Sequence, residues 1–337
     1  MRLAVVILSY NTRDLLRQSI ESVLTSAALT ADRLTVDIVV VDNASHDGSP
    51  AMVAAEFPQV YVVVSDKNLG YTGGNNLGMA QLGFDTASRP NLRDLTPERF
   101  LTDLPDFVLL LNSDAEIMGD ALWQMAHFLD QYPGAGACGA HLRYGSGAFQ
   151  HGAFAFPNLF QVALDFFPLT GVPGVHRLHN SLLNGRYPHF LWEDEQPFPV
   201  DFVLGAAFMV RREVILQVGG LDDAFFMYCE EMDWCLRMEE AGWDIFALPT
   251  AYVTHHEAQS SKQVRWPAYI QLWRSRFRFY TKHAHLYPRR HLQWVRTVAR
   301  LGLWWRRRLA HQRFATGEIN GVQLAEELAA YALLQRL

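Results

Sequence analysis

An α/β fold on a mostly parallel sheet is predicted by three features. These are short β-branched apolar runs without alternation, segments of helical periodicity between them, and polar clusters directly after the runs. Leu3 to Leu8 is continuously apolar, as a strand covered on both faces must be, and ends in Ser9-Tyr10-Asn11. Polar residues follow at once, which marks the run as a first strand rather than a signal peptide. Asn11 or Thr12 is placed to cap a helix of about three turns in which Leu15, Leu16, Ile20, Val23 and Leu24 recur near helical spacing. Val36 to Val41 predicts a second strand running into Asp42-Asn43-Ala44-Ser45, and a helix follows over about 50–57. Tyr61 to Val64 and Phe107 to Leu111 supply two more strands, joined by right-handed crossovers. Between them, 84–105 is charged, carries three prolines and reads as an insertion loop. After Gly134 the chain is rich in Gly, Pro, Phe and His up to about Pro199, which predicts irregular walls and a lid.

Composition sets the class. Of 337 residues, 50% are hydrophobic and 19% charged, the profile of a folded globular chain. Cys138, Cys229 and Cys235 have neither CxxC spacing nor an even count, so a disulfide framework and a thiolate zinc site are both disfavoured and a reducing cytoplasm is expected. No apolar run reaches the ~20 residues that span a bilayer. The net charge of −6 hides an asymmetry: from Lys262 onward 15 Lys/Arg stand against 3 Asp/Glu. The expected organisation is a catalytic domain over 1–262 and a basic, Trp/Arg-rich helical extension over 263–337, its helices interrupted near Pro288.

In an open parallel sheet, ligands bind beyond the carboxyl ends of the strands. Three polar clusters fall there: Ser9-Tyr10-Asn11, Asp42 to Ser45, and Asn112-Ser113-Asp114. Any one is ordinarily a helix cap; together they predict a shared site. Asp114, at the end of a buried strand, suits a hard divalent cation such as Mg²⁺ or Mn²⁺, which takes few protein oxygens and completes its shell with phosphate and water. Asn112 is uncharged and better fitted to support Asp114 or touch a nucleotide. Asn68 to Asn76 is a Gly-rich turn before a helix over Leu77 to Leu82, its backbone amides free to approach a diphosphate. Neither GxGxxG after the first strand nor GxxxxGK[ST] occurs, which disfavours dinucleotide oxidoreductases and P-loop ATPases.

Glu230, Glu231 and Asp233 crowd the start of a predicted helix amid Phe225, Phe226, Tyr228 and Trp234. The helix dipole explains acids there, but a carboxylate in an aromatic pocket also serves as a general base toward a hydroxyl. A short strand over Ile245 to Leu248 and a connection over Pro249 to Val253 lead to His255-His256, either of which offers a nitrogen ligand.

In chain order these features resemble glycosyltransferase family 2, and within it the rhamnosyltransferase-like branch. The match comprises Ser9-Tyr10-Asn11, Val41 to Ser49, Asn68-x-Gly70 with Gly73-Gly74-Asn75-Asn76, Leu110 to Asp114, Gly205 to Arg212, the Phe225 to Arg237 block, and His255. The resemblance implies a GT-A fold: a nucleotide-binding half (1–116) and an acceptor-binding half (117–262) with a smaller mixed sheet. It implies an inverting transferase that moves a sugar, at branch level rhamnose, from a dTDP-, UDP- or GDP-sugar to a saccharide or lipid-linked acceptor in surface-polysaccharide synthesis.

By the same resemblance, Ser9, Tyr10, Asn11, Asp42, Asn68, Gly73, Asn75, Asn112 and Ser113 border the nucleotide-sugar, and Asp114 with His255 holds the metal. Glu231 is the base, Glu230 its alternative, and Asp233, Trp234 and Arg237 touch the acceptor or support the site. Asn112 stands where the common Asp-x-Asp motif begins, leaving fewer charges for the cation. A catalytically silent nucleotide-sugar-binding or scaffold protein is the rival expectation.

The Trp and Arg residues of the tail suit an anionic membrane face from the cytoplasmic side, or packing onto the acidic body. Leu324, Leu328 and Tyr331 share a face fit for self-association, and nucleic acid is disfavoured for want of any recognised binding module.

Overall fold

A computed structural model describes residues 1–86, 103–167, 178–256 and 265–337. The chain divides into two compact units, one of Met1–Phe154, His189–Phe226 and Glu230–Ser260, the other of Ala155–Pro188, Met227–Cys229 and Ser261–Leu337. The helical unit thus draws in residues well ahead of 263.

The first unit carries strands β1 (Arg2–Ser9), β2 (Thr35–Asp42), β3 (Tyr61–Val64), β4 (Phe107–Asn112), β5 (Ala115–Ile117), β6 (Ala135–Arg143), β7 (Ala153–Phe154), β8 (Phe198–Pro199), β9 (Phe202–Val203), β10 (Ala207–Arg211) and β11 (Asp244–His255). The main sheet runs β3-β2-β1-β4-β10-β6-β11-β5, with β8 beside β11, while β7 and β9 form a separate antiparallel pair. β3, β2, β1 and β4 are mutually parallel, as the apolar runs predict. β10 is antiparallel to both β4 and β6, and β6 is parallel to β11.

Helices α1 (Arg13–Leu29), α2 (Ser49–Glu56), α3 (Gly70–Gln81), α4 (Ala121–Gln131), α6 (Phe190–Glu193), α7 (Arg212–Val218) and α8 (Glu230–Glu240) belong to this unit. Period two along β1 assigns its faces. Leu3, Val5 and Ile7 pack with Leu16, Ile20 and Val23 of α1 and Leu122, Met125 and Leu129 of α4 in one core. Each such buried aliphatic contributes about 1.5–3 kcal/mol. On the opposite face α3 lies so close that a Cβ on Gly74 would strike Leu8, and one on Gly78 would strike Val6.

Four expectations are corrected. Residues 135–143 are not irregular wall but a central strand buried along nearly its whole length; small residues (Ala135, Gly136, Ala137, Gly139, Ala140) read as loop composition, yet here they admit close neighbours such as Val203 beside Gly139. The helix after β1 runs for 17 residues rather than three turns. β11 continues through Pro249 to His255, because the register shift between Leu248 and Tyr252 absorbs the proline that interrupts the pattern. The Gly-rich stretch is also helical from Gly70 onward. Most of the insertion-loop reading, residues 87–102, lies outside the described residues.

In the second unit, α5 (Leu159–Phe166) packs with α9 (Arg265–Lys282), α10 (His291–Ala315) and α11 (Gly321–Leu334). Trp273 is buried against Phe166 with ring centroids 4.3 Å apart, and Arg276 pairs with Asp165. Tyr331, on the face expected to self-associate, is buried and packs on Trp266 within this unit, while Leu324 and Leu328 are partly buried. None of the three cysteines forms a disulfide, and all are buried. No helix among the described residues is long and apolar enough to cross a membrane.

Candidate active site

The carboxyl ends of β1, β2 and β4 lie on one edge of the sheet because those strands are parallel and in register. Hydroxyls stitch the first and third together: Thr12 Oγ1 lies 3.2 Å from Ser9 Oγ and 2.7 Å from Ser113 Oγ, all three residues being buried. Thr12, expected only as a cap, makes no side-chain cap bond and bridges the two strand ends instead. Asn11 takes a left-handed backbone (φ 53°); its amide donates to Ser45 Oγ at 2.9 Å, and its Oδ1 accepts from His46 N at 2.8 Å. Tyr10 is exposed. Asp42 is buried, with Oδ2 accepting from Ser45 N at 2.9 Å and Oδ1 without a hydrogen-bond partner.

Asn43 organises the entry to α3. It accepts from Leu69 N at 2.7 Å through Oδ1, and its Nδ2 donates to Asn68 Oδ1 at 3.0 Å and to Gly70 O at 3.1 Å. Gly70 has φ +72°, and a Cβ there would collide with the carbonyl and ring of Phe226, whose oxygen accepts from Tyr71 N at 2.9 Å. Gly70→Ala should therefore cost about 1–3 kcal/mol, read as a lower Tm. Gly48→Ala shares the left-handed φ but has nothing within 4 Å of the added carbon, so its loss should be smaller. Equal losses would show that the Phe226 contact contributes nothing.

Gly73 and Asn75 lie within α3 rather than in a turn. Asn75 Nδ2 donates to Tyr71 O at 3.0 Å, and its buried Oδ1 has no hydrogen-bond partner. Asn76, one residue on, fastens the 220s segment by donating to Leu221 O at 2.8 Å and accepting from Leu221 N at 3.0 Å.

β5 folds back antiparallel along the end of β11, pairing Ala115 with His255, so Asp114 at its root meets the histidine. Asp114 Oδ1 and the Asn112 amide nitrogen each lie 3.3 Å from His255 Nε2, and His256 N donates to Asp114 O at 2.9 Å. Gln150 Oε1, 3.2 Å from Nδ1, takes the other ring nitrogen and leaves Nε2 facing Asp114. The adjacent His256 pairs instead with Glu116 at 2.5 Å. His255 is thus the histidine brought to Asp114. A carboxylate oxygen of Asp114 and an imidazole nitrogen of His255 meeting where β4 and β11 end are ligand types that fit a borderline divalent ion, while the Asn112 amide nitrogen lies beside the histidine.

α8 opens with the acids. Glu230 is buried and Glu231 partly so, and each has a buried Oε2 without a hydrogen-bond partner. Burial first, and the charge of Glu231 second, hold the Glu230 carboxyl well above the usual carboxylate range; burial pushes Glu231 up to about 7. The two residues before them, Tyr228 and Cys229, have φ of 69° and 67°, a left-handed pair that non-glycine residues seldom adopt. Tyr71 is electrostatically coupled to both acids and donates to Gly205 O at 2.6 Å, while Ala206 O accepts from Asn112 N at 3.0 Å. Two consecutive residues thereby link the acid end to the Asp114 end.

Asp233, Trp234 and Arg237 face inward and hold the loop before α8. Arg237 binds Asp233 Oδ2 at 2.9 Å and the carbonyls of Val218 and Gly220 at 2.7 and 2.8 Å, while Trp234 Nε1 donates to Gly219 O at 2.9 Å. Asp233 and Trp234 are wholly buried, and their contacts are with the protein's own loop. Tyr71, Gln150 and Thr12 were missed as site-shaping residues. Only the hydroxyl spacing Ser9-x-x-Thr12 offered a signal in the sequence; Gln150 offered none.

The family model described as "Glycosyltransferase like family 2" matches residues 1–272. The chain belongs to that family. Among curated relatives, this glycosyltransferase is 28% identical over 250 residues to N-acetylglucosaminyl-diphospho-decaprenol L-rhamnosyltransferase of Mycobacterium tuberculosis, covering 72% of this chain and 73% of that one. It is 38% identical over 72 residues to rhamnosyltransferase WbbL of Escherichia coli, covering 20% of this chain and 27% of the relative. Among solved structures, the mannosyltransferase PcManGT from Pyrobaculum calidifontis, in complex with GDP-Man and Mn²⁺, aligns over 99% of this chain and 80% of its own with a TM-score of 0.52 at 14% identity. The glycosyltransferase thus has a GT-A fold, and two of its curated relatives are named as rhamnosyltransferases.

Proposed function

We propose that this glycosyltransferase moves a hexose, at branch level rhamnose, from a nucleoside diphosphate to a hydroxyl of a lipid-linked saccharide, inverting the anomeric centre. The observation that carries the reading is Glu231, at the start of α8 and less deeply buried than Glu230, whose carboxyl burial raises to about 7. Glu230, more deeply buried beside it, is held further above the usual carboxylate range, so Glu231 is the member of the pair better placed to ionise. Glu231 takes the proton of the acceptor hydroxyl as the oxygen attacks the anomeric carbon, and the carbon–oxygen bond to the diphosphate breaks on the opposite face. Asp114 and His255 would hold Mg²⁺ or Mn²⁺, with Asn112 in support; when bound, the ion offsets the charge developing on the leaving diphosphate. The relatives in Mycobacterium tuberculosis and Pyrobaculum calidifontis, one named for a decaprenol-linked acceptor and the other solved with Mn²⁺, support the acceptor class and the cofactor.

The lone buried Asp42 Oδ1 is an acceptor waiting for an N–H. It suits a base with a ring N–H, as thymine, uracil and guanine have and adenine and cytosine lack. With Mn²⁺ and a polyprenyl-diphosphate-linked sugar, dTDP-, UDP- and GDP-sugars are therefore the donors to screen for diphosphate release and product. Release from one of these, absent with ADP- and CDP-sugars, is expected. Binding of a dTDP-, UDP- or GDP-sugar with no transfer to any acceptor would favour the silent scaffold.

A further inference from the structure

We infer that the outer face of α10 is a docking surface for the interfacial layer of an anionic lipid bilayer. α10 carries Arg296, Arg300, Arg306, Arg307, Arg308 and Arg313 and has no acidic residue along its length. Its inner face is Val295, Ala299, Gly302, Leu303 and Ala310, all buried, with Gly302 so close to Phe166 that a Cβ would collide. The opposite face is not the polar surface that an amphipathic helix of a globular unit presents to water. Trp294, Leu301, Trp304 and Trp305 recur at helical spacing there and are 56%, 56%, 50% and 43% exposed. The stripe runs for about 16 Å along the helix at 1.5 Å per residue. Beside it, Arg300, Leu301 and Trp304 of α10 and Gln335 line an open groove of about 570 Å³.

Exposed indoles flanked by guanidinium groups fit one environment closely. At the headgroup level, the ring sits between hydrocarbon and water while the arginines meet lipid phosphates. Arg308 already lies over the Trp304 ring at 4.0 Å, a pairing that keeps cation and indole at the same depth. A second copy of the chain is a poor occupant, since α10 against α10 would bring the exposed Arg296, Arg300 and Arg308 of each copy together with no carboxylate in either helix. α10 itself is not apolar enough to cross a membrane, so its stripe is read as a surface contact.

The test uses the full chain with phosphatidylcholine vesicles, with and without phosphatidylglycerol, and no donor present, so it reads docking separately from transfer. The wild type should sediment with the anionic vesicles and be released as ionic strength rises. The variant Trp294→Ser/Leu301→Ser/Trp304→Ser should bind about tenfold or more weakly at an unchanged Tm, since its side chains are exposed. Because the native cysteines are buried, Leu301→Cys can be labelled selectively with an environment-sensitive dye, whose emission should rise on anionic vesicles. Failure of the wild type to sediment, full binding by the triple variant, or a silent dye would overturn the proposal. So would self-association of the wild type that the triple substitution abolishes.

Discussion

Glu231→Gln is expected to lower the turnover of sugar transfer by at least about a thousandfold while the affinity for the nucleoside diphosphate stays within about twofold. The amide keeps the size of the side chain and cannot accept the acceptor's proton. For the wild type, kcat/KM should rise with pH and level off above about 7, falling about tenfold per unit below it, because only the ionised carboxylate is active. Stability moves the opposite way. An acid whose folded pKa is raised loses stability as pH rises from its ordinary range through about 7, so Glu231→Gln should melt at the same temperature or higher at pH 8. A variant that folds so and still turns over normally would remove Glu231 from the role. Loss of transfer in Glu230→Gln with Glu231→Gln active would assign it to the neighbour.

Asp114→Ala should abolish the dependence of donor binding on Mn²⁺ and weaken that binding tenfold or more, a range of about 10–100-fold being usual even for groups that only orient ligands. His255→Ala should act in the same direction. Gln150→Leu, which frees the ring nitrogen it now fixes, should cost less than either and leave the nucleoside alone bound as before. Titration calorimetry with nucleoside diphosphate, with and without the ion, separates these cases. Donor affinity in Asp114→Ala that matched the wild type and still responded to Mn²⁺ would take Asp114 out of the cation site.

The candidate site residues at the strand ends share one property: each follows a buried apolar run. Asp42 and Asp114 end strands whose Val and Leu repeats are visible without any alignment, and parallel strands carry their ends to one edge. The acids of α8 were visible for a similar reason, as charges in an otherwise aromatic block. Misreadings came where composition and packing point in opposite directions. Glycines at 70, 73 and 74 suggest a turn, yet all three lie in a helix, where a Cβ on Gly74 would strike Leu8. The small residues of 135–143 suggest a loop, yet they form a central strand.

By itself, then, the sequence determined the α/β class, the parallel order of the first strands and the residue types at their ends, since hydrophobic periodicity and strand-end polarity are local properties of the chain. The partnerships were decided only in three dimensions. His255 rather than its neighbour meets Asp114 because β5 pairs with the end of β11, a register that joins segments about 140 residues apart. Burial likewise separates Glu230 from Glu231, turns Asp233, Trp234 and Arg237 into struts, and leaves the α10 tryptophans outside while Trp273 goes in. Which face of an element meets other atoms is a property of its neighbours, and no window of sequence contains them.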